Sequence, residues 1–379
     1  MLKSIFYLSG LLSVYSYFLY PVILGLIRTR AADSVQIPVD RELPTLSLII
    51  TVHNEAVRIG EKIQDTLDID YPRDLLDIIV ASDCSTDDTD RIVQSYSGQG
   101  VRLVRADERK GKEYAQLCAI NKAKGEILVF SDVATSIPVE AINVLASKFS
   151  NKQVGALSSE DRFLSKDGEL AGEGAYVKYE MWLRRLESAR AGLVGLSGSF
   201  FAARKEVCED WDIHSPSDFI TALNCAKKRM VAITCPEVVG MYSDIKDARR
   251  EYQRKIRTVI RGMTAIARHP EVINPFRMGL FAFQVWSHKI MRWGVPWFML
   301  LFAIATLMLQ GQGLVYSLAL WAQVAFYGLA LAGWLSVRMR NNALVRIIFF
   351  FVQTNLAIAQ ATLAFLTGKR MTVWAPSRR

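Results

Sequence analysis

Charge is missing from the first part of this chain: residues 4–27, SIFYLSGLLSVYSYFLYPVILGLI, hold 24 positions without one Asp, Glu, Lys or Arg. About 20 apolar residues suffice to cross a bilayer as a helix, so the run is read as a membrane span. It is far longer than the roughly 7–15 residues of a signal-peptide core, and no small-x-small cleavage site follows it. Cysteine is scarce: five, an odd number with no CxxC pair. That argues against a disulfide framework or a zinc site and fits a reduced cytosolic domain. The four histidines, His53, His214, His269 and His288, show no metal-ligand spacing. No GxGxxG follows the first β-type run, so a dinucleotide-binding reading has nothing to rest on. Internal repeats and low-complexity tracts are absent as well.

What is present begins with three further apolar segments, at about 293–310, 313–337 and 344–366. With the first they give four predicted membrane segments around one large polar domain. Arg28 and Arg30 follow the first segment and only Lys3 precedes it, so residues 28–292 are expected in the cytoplasm of a multi-pass inner (cell) membrane protein. Four spans then leave the basic tail GKRMTVWAPSRR outside. Either that tail is an exception, or the polar-studded VQTNLAIAQ of the last segment is re-entrant. The net charge of +9 comes mostly from Lys246 to Arg292, where eleven basic residues face three acids. A basic belt before a membrane segment points to anionic headgroups or an anionic substrate, not to nucleic acid.

Within the polar domain, LSLIITV (46–52), LDIIVAS (76–82), VRLVRA (101–106) and EILVFSD (126–132) are short runs rich in Ile, Leu and Val, separated by segments of helical composition. The alternation predicts a mostly parallel α/β sheet covered on both faces. Ligands of such sheets sit beyond the carboxyl ends of the strands, where Asp83 and Asp132 fall. Residues 155–240 are less regular. YVKYEMWLRRLESARA reads as a helix, GLVGLSGSFFAARKE as a glycine-rich turn, and SPSDFITALNCAKK as a second helix with Ser215 or Ser217 as its cap and Asp218 in its first turn.

The order TVHNEA, ASDCSTDDT, ERKGKEYAQLCAINKAKGEILVFSD, GLSGSFFAARKE, SDFIT and YQRKIRT, with apolar segments on both sides, resembles the membrane-bound family 2 glycosyltransferases. That family includes synthases of chitin-like, hyaluronan-like and poly-N-acetylglucosamine-like chains and of bacterial exopolysaccharides. The resemblance covers roughly 44–300. It implies a GT-A-like, Rossmann-type domain that transfers a sugar, with inversion, from a nucleotide-diphosphate donor such as a UDP-sugar to a saccharide or lipid-linked acceptor. The expected organisation is a membrane helix at 1–28, a linker at 29–43, the transferase domain at 44–244, basic amphipathic interface helices at 245–292, membrane helices at 293–368 and a basic tail at 369–379. Single transfer to a polyprenyl phosphate is an alternative in the same class. A non-catalytic membrane subunit of a polysaccharide assembly or export system is an alternative of another class, and other proteins of such a system are possible partners.

Residue by residue, the resemblance puts Glu55 and Asp83 at the donor, with Asp83 accepting from a base N–H. Arg109, Lys110 and Lys112 form a cationic loop opening a helix, where a diphosphate could lie, with Lys112 the first choice. Taken alone, ERKGKE is more often a solvated charge run than a phosphate site; its place between Asp83 and Asp132 on one sheet edge favours the phosphate role. Asp87 and Asp88 read as structural, with Thr86 as a helix cap. Asp132 takes the first position of the family's DxD and Ala134 the second, so one carboxylate stands for Mg²⁺ or Mn²⁺ where two are usual. Asp218 is the candidate base that deprotonates the acceptor hydroxyl, and Ser217 replaces the Glu that precedes it in the family. Gly198, Ser199 and Phe200 are expected near the acceptor; a tight turn entering a buried strand explains them equally well. Arg250, Arg254, Arg257 and Arg261 share one helical face, with Tyr252, Ile256, Val259 and Met263 on another, as in a helix lying at a membrane surface. Arg254 and Arg257 are the expected donor contacts there. The family's QxxRW becomes RKIRT at 254–258, and the absent tryptophan counts against long-chain processivity.

Overall fold

The computed structural model describes residues 1–30, 43–164, 175–243 and 248–371. They divide into two units, one of residues 27–245, 265–282 and 371–379, the other of 1–26, 246–264 and 283–370. Most of the expected linker and tail lies outside the described residues. In chain order the elements are α1 (Leu2–Leu26), β1 (Leu46–Val52), α2 (Ile59–Leu67), β2 (Leu76–Ser82), α3 (Thr89–Ser95), β3 (Val101–Arg105), α4 (Lys112–Ile120), β4 (Ile127–Asp132), α5 (Ala141–Lys148) and β5 (Val154–Leu164). They continue as α6 (Ala175–Ser188), β6 (Phe200–Arg204), α7 (Ser217–Lys227), β7 (Val231–Ser243), α8 (Ala248–Arg268), α9 (Leu280–Met308), α10 (Leu314–Leu335) and α11 (Ala343–Leu366).

The seven strands form one sheet in the order β3-β2-β1-β4-β6-β5-β7. β3, β2, β1 and β4 are parallel, β6 runs antiparallel to β4 and β5, and β5 pairs parallel with β7. The expected mostly parallel sheet is thus present. β1 is buried at every position, because both its faces are covered. Leu48 and Ile50 belong to one core, with Ile59 and Ile63 of α2, while Ile49 belongs to a second core with Ala115 and Ala119 of α4. The chain lays β2 and β3 on one side of β1 and then crosses to β4 on the other. That reversal opens a crevice at the carboxyl ends of β1 and β4, where Thr51 and Asp132 are in register.

In the other unit, α1, α9, α10 and α11 are each long and apolar enough to cross a membrane. α9 begins at Leu280, earlier than the 293 read from hydropathy, because His288, Lys289 and Arg292 interrupt the apolar run without interrupting the helix. The guanidinium of Arg292 lies over the Tyr17 ring of α1 at 4.8 Å from its centroid, and Tyr15 shares a hydrogen bond with Ser287 at 2.9 Å. α11 is one continuous helix. Two of its polar residues have partners on α8: Lys255 Nζ donates to Thr354 Oγ1 at 3.1 Å and the Tyr252 hydroxyl to Gln360 Oε1 at 3.0 Å. Part of the polar studding of VQTNLAIAQ therefore marks a helix contact.

Candidate active site

Both loops at the carboxyl ends of β1 and β2 hold a non-glycine residue with positive φ, Asn54 at 55° and Cys84 at 52°. Such backbone is costly for residues with a side chain, and a dense set of hydrogen bonds keeps it in place. The Asn54 amide donates to Ser85 Oγ at 3.1 Å, and Asn54 Oδ1 accepts from the Thr86 amide at 2.8 Å. The Glu55 amide donates to Thr89 Oγ1 at 2.8 Å and the Ala56 amide to Asp87 Oδ2 at 3.1 Å. Asp87 also accepts from the Thr89 amide at 3.0 Å. Burial works against its charge, but the Thr89 and Ala56 donors outweigh it and hold the carboxyl below its usual range. Asp87 is structural, as expected. Thr86 is not a helix cap; it is part of the Asn54 bridge. Glu55 is 15 % exposed and paired with Arg58 at 2.6 Å.

Asp83, one residue past β2, is 2 % exposed. Its amide extends the ladder to Val52 O at 2.9 Å, and its carbonyl lies 2.7 Å from His53 Nδ1. Its Oδ1 accepts from the Gly111 amide at 3.0 Å. Gly111 has φ 99°, a conformation glycine adopts without strain, and it directly precedes α4. The carboxylate thus fixes the mouth of α4 to the end of β2.

Lys112, the first residue of α4, is 7 % exposed. Its Nζ donates to Asp132 Oδ1 at 2.6 Å and to Gly198 O at 2.9 Å. Three sequence-predicted residues therefore meet at one ammonium, which ties β4 to the glycine-rich turn. The Asp132 amide donates to Ser199 O at 2.9 Å, closing the same junction. Lys110 is engaged elsewhere, with Glu108 at 3.0 Å and over the Tyr114 ring at 4.7 Å. Of the three loop cations, Arg109 is exposed and has no ion pair among the described residues.

Gly198 also abuts Asp218: a β-carbon there would lie 3.4 Å from Asp218 Oδ2, in van der Waals contact with the carboxylate. Asp218 is half-buried in the first turn of α7, and no hydrogen bond or ion pair occupies its carboxylate among the described residues. Neither expected serine caps α7. Pro216 precedes the helix, and the Ser215 hydroxyl donates to Asp212 instead, at 2.8 Å. Phe200 is fully buried in the core beneath β6, so its ring is core packing and does not line an acceptor surface. Ser199 stays half-buried at the turn, within 3.0 Å of Ser197 Oγ. Arg254 and Arg257 belong to the other unit, on α8, where Arg254 Nη2 donates to Glu251 Oε1 at 3.0 Å.

Two groups escaped the sequence reading. Arg184 of α6 donates to Ser158 Oγ at 2.5 Å, and the same hydroxyl accepts from the Ser197 amide at 2.7 Å, so β5 and α6 shape the turn that carries Gly198. Lys62 of α2 is 3 % exposed, and its Nζ donates to Thr135 O at 2.6 Å. Burial lowers its pKa to about 8, with Asp65 and Asp132 acting in the opposite direction. The available signal was a lysine on the apolar stripe of Ile59, Ile63 and Leu67.

As a metal site this geometry is sparse. Among the described residues no three His, Cys, Asp or Glu side chains cluster closely enough to hold an ion. Asp132 offers a half-exposed carboxylate with one oxygen engaged by Lys112. A hard dication accepts one or two carboxylates when phosphate oxygens and water fill its shell, so Asp132 fits a cation that is shared with a bound diphosphate.

Residues 47–211 match the family described as Glycosyl transferase family 2. Over those residues, under half of its length, the chain resembles a glycosyltransferase family 2 domain. It is 28% identical over 184 residues to the probable glycosyltransferase YdaM of Bacillus subtilis, covering 45% of this chain and 44% of that protein. It is 24% identical over 169 residues to the beta-monoglucosyldiacylglycerol synthase of Synechocystis sp., covering 43% and 35%. The chain thus spans less than half the length of these curated relatives. Among solved structures, the mannosyltransferase PcManGT of Pyrobaculum calidifontis, in complex with GDP-Man and Mn²⁺, superposes with a TM-score of 0.72 at 22% identity over 98% of this chain and 100% of that one. That likeness shows a shared fold across the length of this chain.

Proposed function

We propose that this protein is an inverting glycosyltransferase that moves a sugar from a nucleotide-diphosphate donor, a UDP-sugar or GDP-mannose, to a lipid-linked or saccharide acceptor at the inner face of the cell membrane. The observation that carries the reading is the convergence of Asp83, Lys112, Asp132, Gly198 and Asp218 beyond the carboxyl ends of β2 and β4 in one mostly parallel sheet. Asp83 receives the base, and Arg109 brings the loop's uncommitted cation to the diphosphate. Lys112 holds Asp132 and the Gly198 turn in one geometry. The Asp218 carboxylate takes the proton of the acceptor hydroxyl as its oxygen attacks the anomeric carbon. The bond from that carbon to the diphosphate oxygen breaks on the opposite face, and the nucleoside diphosphate leaves. A divalent cation, Mg²⁺ or Mn²⁺, would be held by Asp132 with diphosphate oxygens and would offset the leaving group's charge.

Thr258, where processive relatives carry tryptophan, favours addition of a single sugar over a long polymer. The lipid product of the Synechocystis synthase and the GDP-Man bound by the Pyrobaculum mannosyltransferase support a lipid acceptor and a GDP-linked option. The test is incubation of the purified full-length protein, in detergent with bacterial lipids, with radiolabelled UDP-glucose, UDP-N-acetylglucosamine and GDP-mannose. Label entering an organic-soluble product of one added sugar supports the reading. Label in a long polymer moves it to the exopolysaccharide class, and no nucleotide release from any donor favours the non-catalytic subunit.

A further inference from the structure

Lys62 has no part in the chemistry above, yet its position is unusual. α2 turns it inward with Ile59, Ile63, Thr66 and Leu67, where an apolar side chain would avoid the desolvation of an ammonium. Its Nζ meets the Thr135 carbonyl at 2.6 Å. Thr135 lies in the turn that leaves Asp132, and its amide donates back to the Asp132 carbonyl at 3.1 Å. Ser136, the next residue, exchanges backbone hydrogen bonds with Met241 of β7 at 2.9 and 3.1 Å. The turn that carries Ala134 is therefore held by β7 at one point and by a buried ammonium at another, and the Asp132 carboxylate favours that ammonium's charged form.

We propose that Lys62 is a positioning residue for the donor diphosphate: it pins the backbone of the turn 132–136 and keeps a fixed positive charge inside it, at the place where the sequence has Ala134 instead of a second carboxylate. A rigid turn keeps Asp132 aimed without a neighbouring acid. A preorganised charge favours an anionic leaving group without reorganisation during the reaction. The inference rests on the reading of the site as a nucleotide-sugar transferase.

The test uses the full-length protein in detergent, comparing K62M and K62R with the unaltered chain in donor kinetics, UDP and GDP binding by calorimetry, and thermal midpoint. K62M is expected to keep its midpoint within about 3 °C while kcat/KM falls roughly 30-fold with a higher donor KM, the size expected for lost positioning. K62R recovers a substantial part of the loss because it restores the charge. If K62M does not fold, K62Q carries the same comparison, since it keeps a donor for Thr135 O without the charge. A K62M protein that binds UDP or GDP normally and turns over within about threefold of the unaltered protein overturns the inference and leaves the proposed function standing. So does one whose activity falls only in proportion to lost folded protein. An unaltered protein that binds neither UDP nor GDP overturns the proposed function and the inference with it.

Discussion

Asp83 and Lys112 owe their contacts to residues far from them in sequence. Asp83 was legible because an aspartate closing a strand run stands out, and it does close β2. Its buried contact with the Gly111 amide depends on a loop conformation that residue types do not encode. The loop charges and the resemblance put Lys112 at the donor; its ammonium holds Asp132 and Gly198, residues 20 and 86 positions away, and the charge run does not encode those contacts. The resemblance puts Phe200 near the acceptor, but β6 lies inside the sheet with both faces covered, so the ring is in the core. If Asp83 receives the base, D83N, which retains an acceptor for Gly111, weakens nucleotide binding by about tenfold. That is the scale of one charge-assisted hydrogen bond, and calorimetry with UDP and GDP measures it, with the thermal midpoint unchanged.

At the level of elements, β1 to β4 were legible because each is a short Ile, Leu and Val run, while β5 to β7 were not. β5 buries Ser158, Ser159 and Glu160, which are satisfied by Arg184, the Phe200 carbonyl and Arg185. Its polar residues therefore read as loop. β7 carries Pro236, tolerated because the β5 pairing shifts register between Ser159 and Glu160, where no ladder donor is required. Two elements also carry stability predictions. Asp87 joins the β1 loop to the start of α3, and D87A should cost about 1 kcal/mol, as for a lost helix cap, read as a drop of about 2–4 °C in the thermal midpoint. Asp212, before α7, accepts from Arg268 Nε at 2.7 Å, the Ser215 hydroxyl at 2.8 Å, the His214 amide at 3.0 Å and lies 3.1 Å from His269 Nε2. Burial opposes its ionisation, but these partners outweigh burial and hold its pKa well below the usual carboxylate range. A group depressed in the folded state stabilises fully above its unfolded pKa of about 3.9 and loses that contribution as pH falls below it. D212N should therefore lower the midpoint at pH 7 and flatten its decline between about pH 4 and 2 relative to the unaltered protein; an equally steep decline in D212N would contradict this assignment.

For the whole molecule, hydropathy and strand alternation anticipated the two kinds of unit. Both need only local composition, so the four apolar helices and the mostly parallel sheet could be read without contacts. The start of α9 and the pairing of α11 with α8 could not, because charged residues can continue a helix and polar ones can be satisfied by a helix distant in sequence. In the proposed function, this chain transfers a sugar from a nucleotide-diphosphate donor with the Asp218 carboxylate as base. Transfer rate and nucleoside-diphosphate affinity, measured together for unaltered and D218N full-length protein in detergent with the productive donor and lipid extract, test it most directly. Transfer by the unaltered protein is expected, with a fall of about 10²–10⁴-fold in D218N, the range for loss of a general base, and UDP or GDP affinity unchanged. Transfer by D218N at the unaltered rate would contradict it.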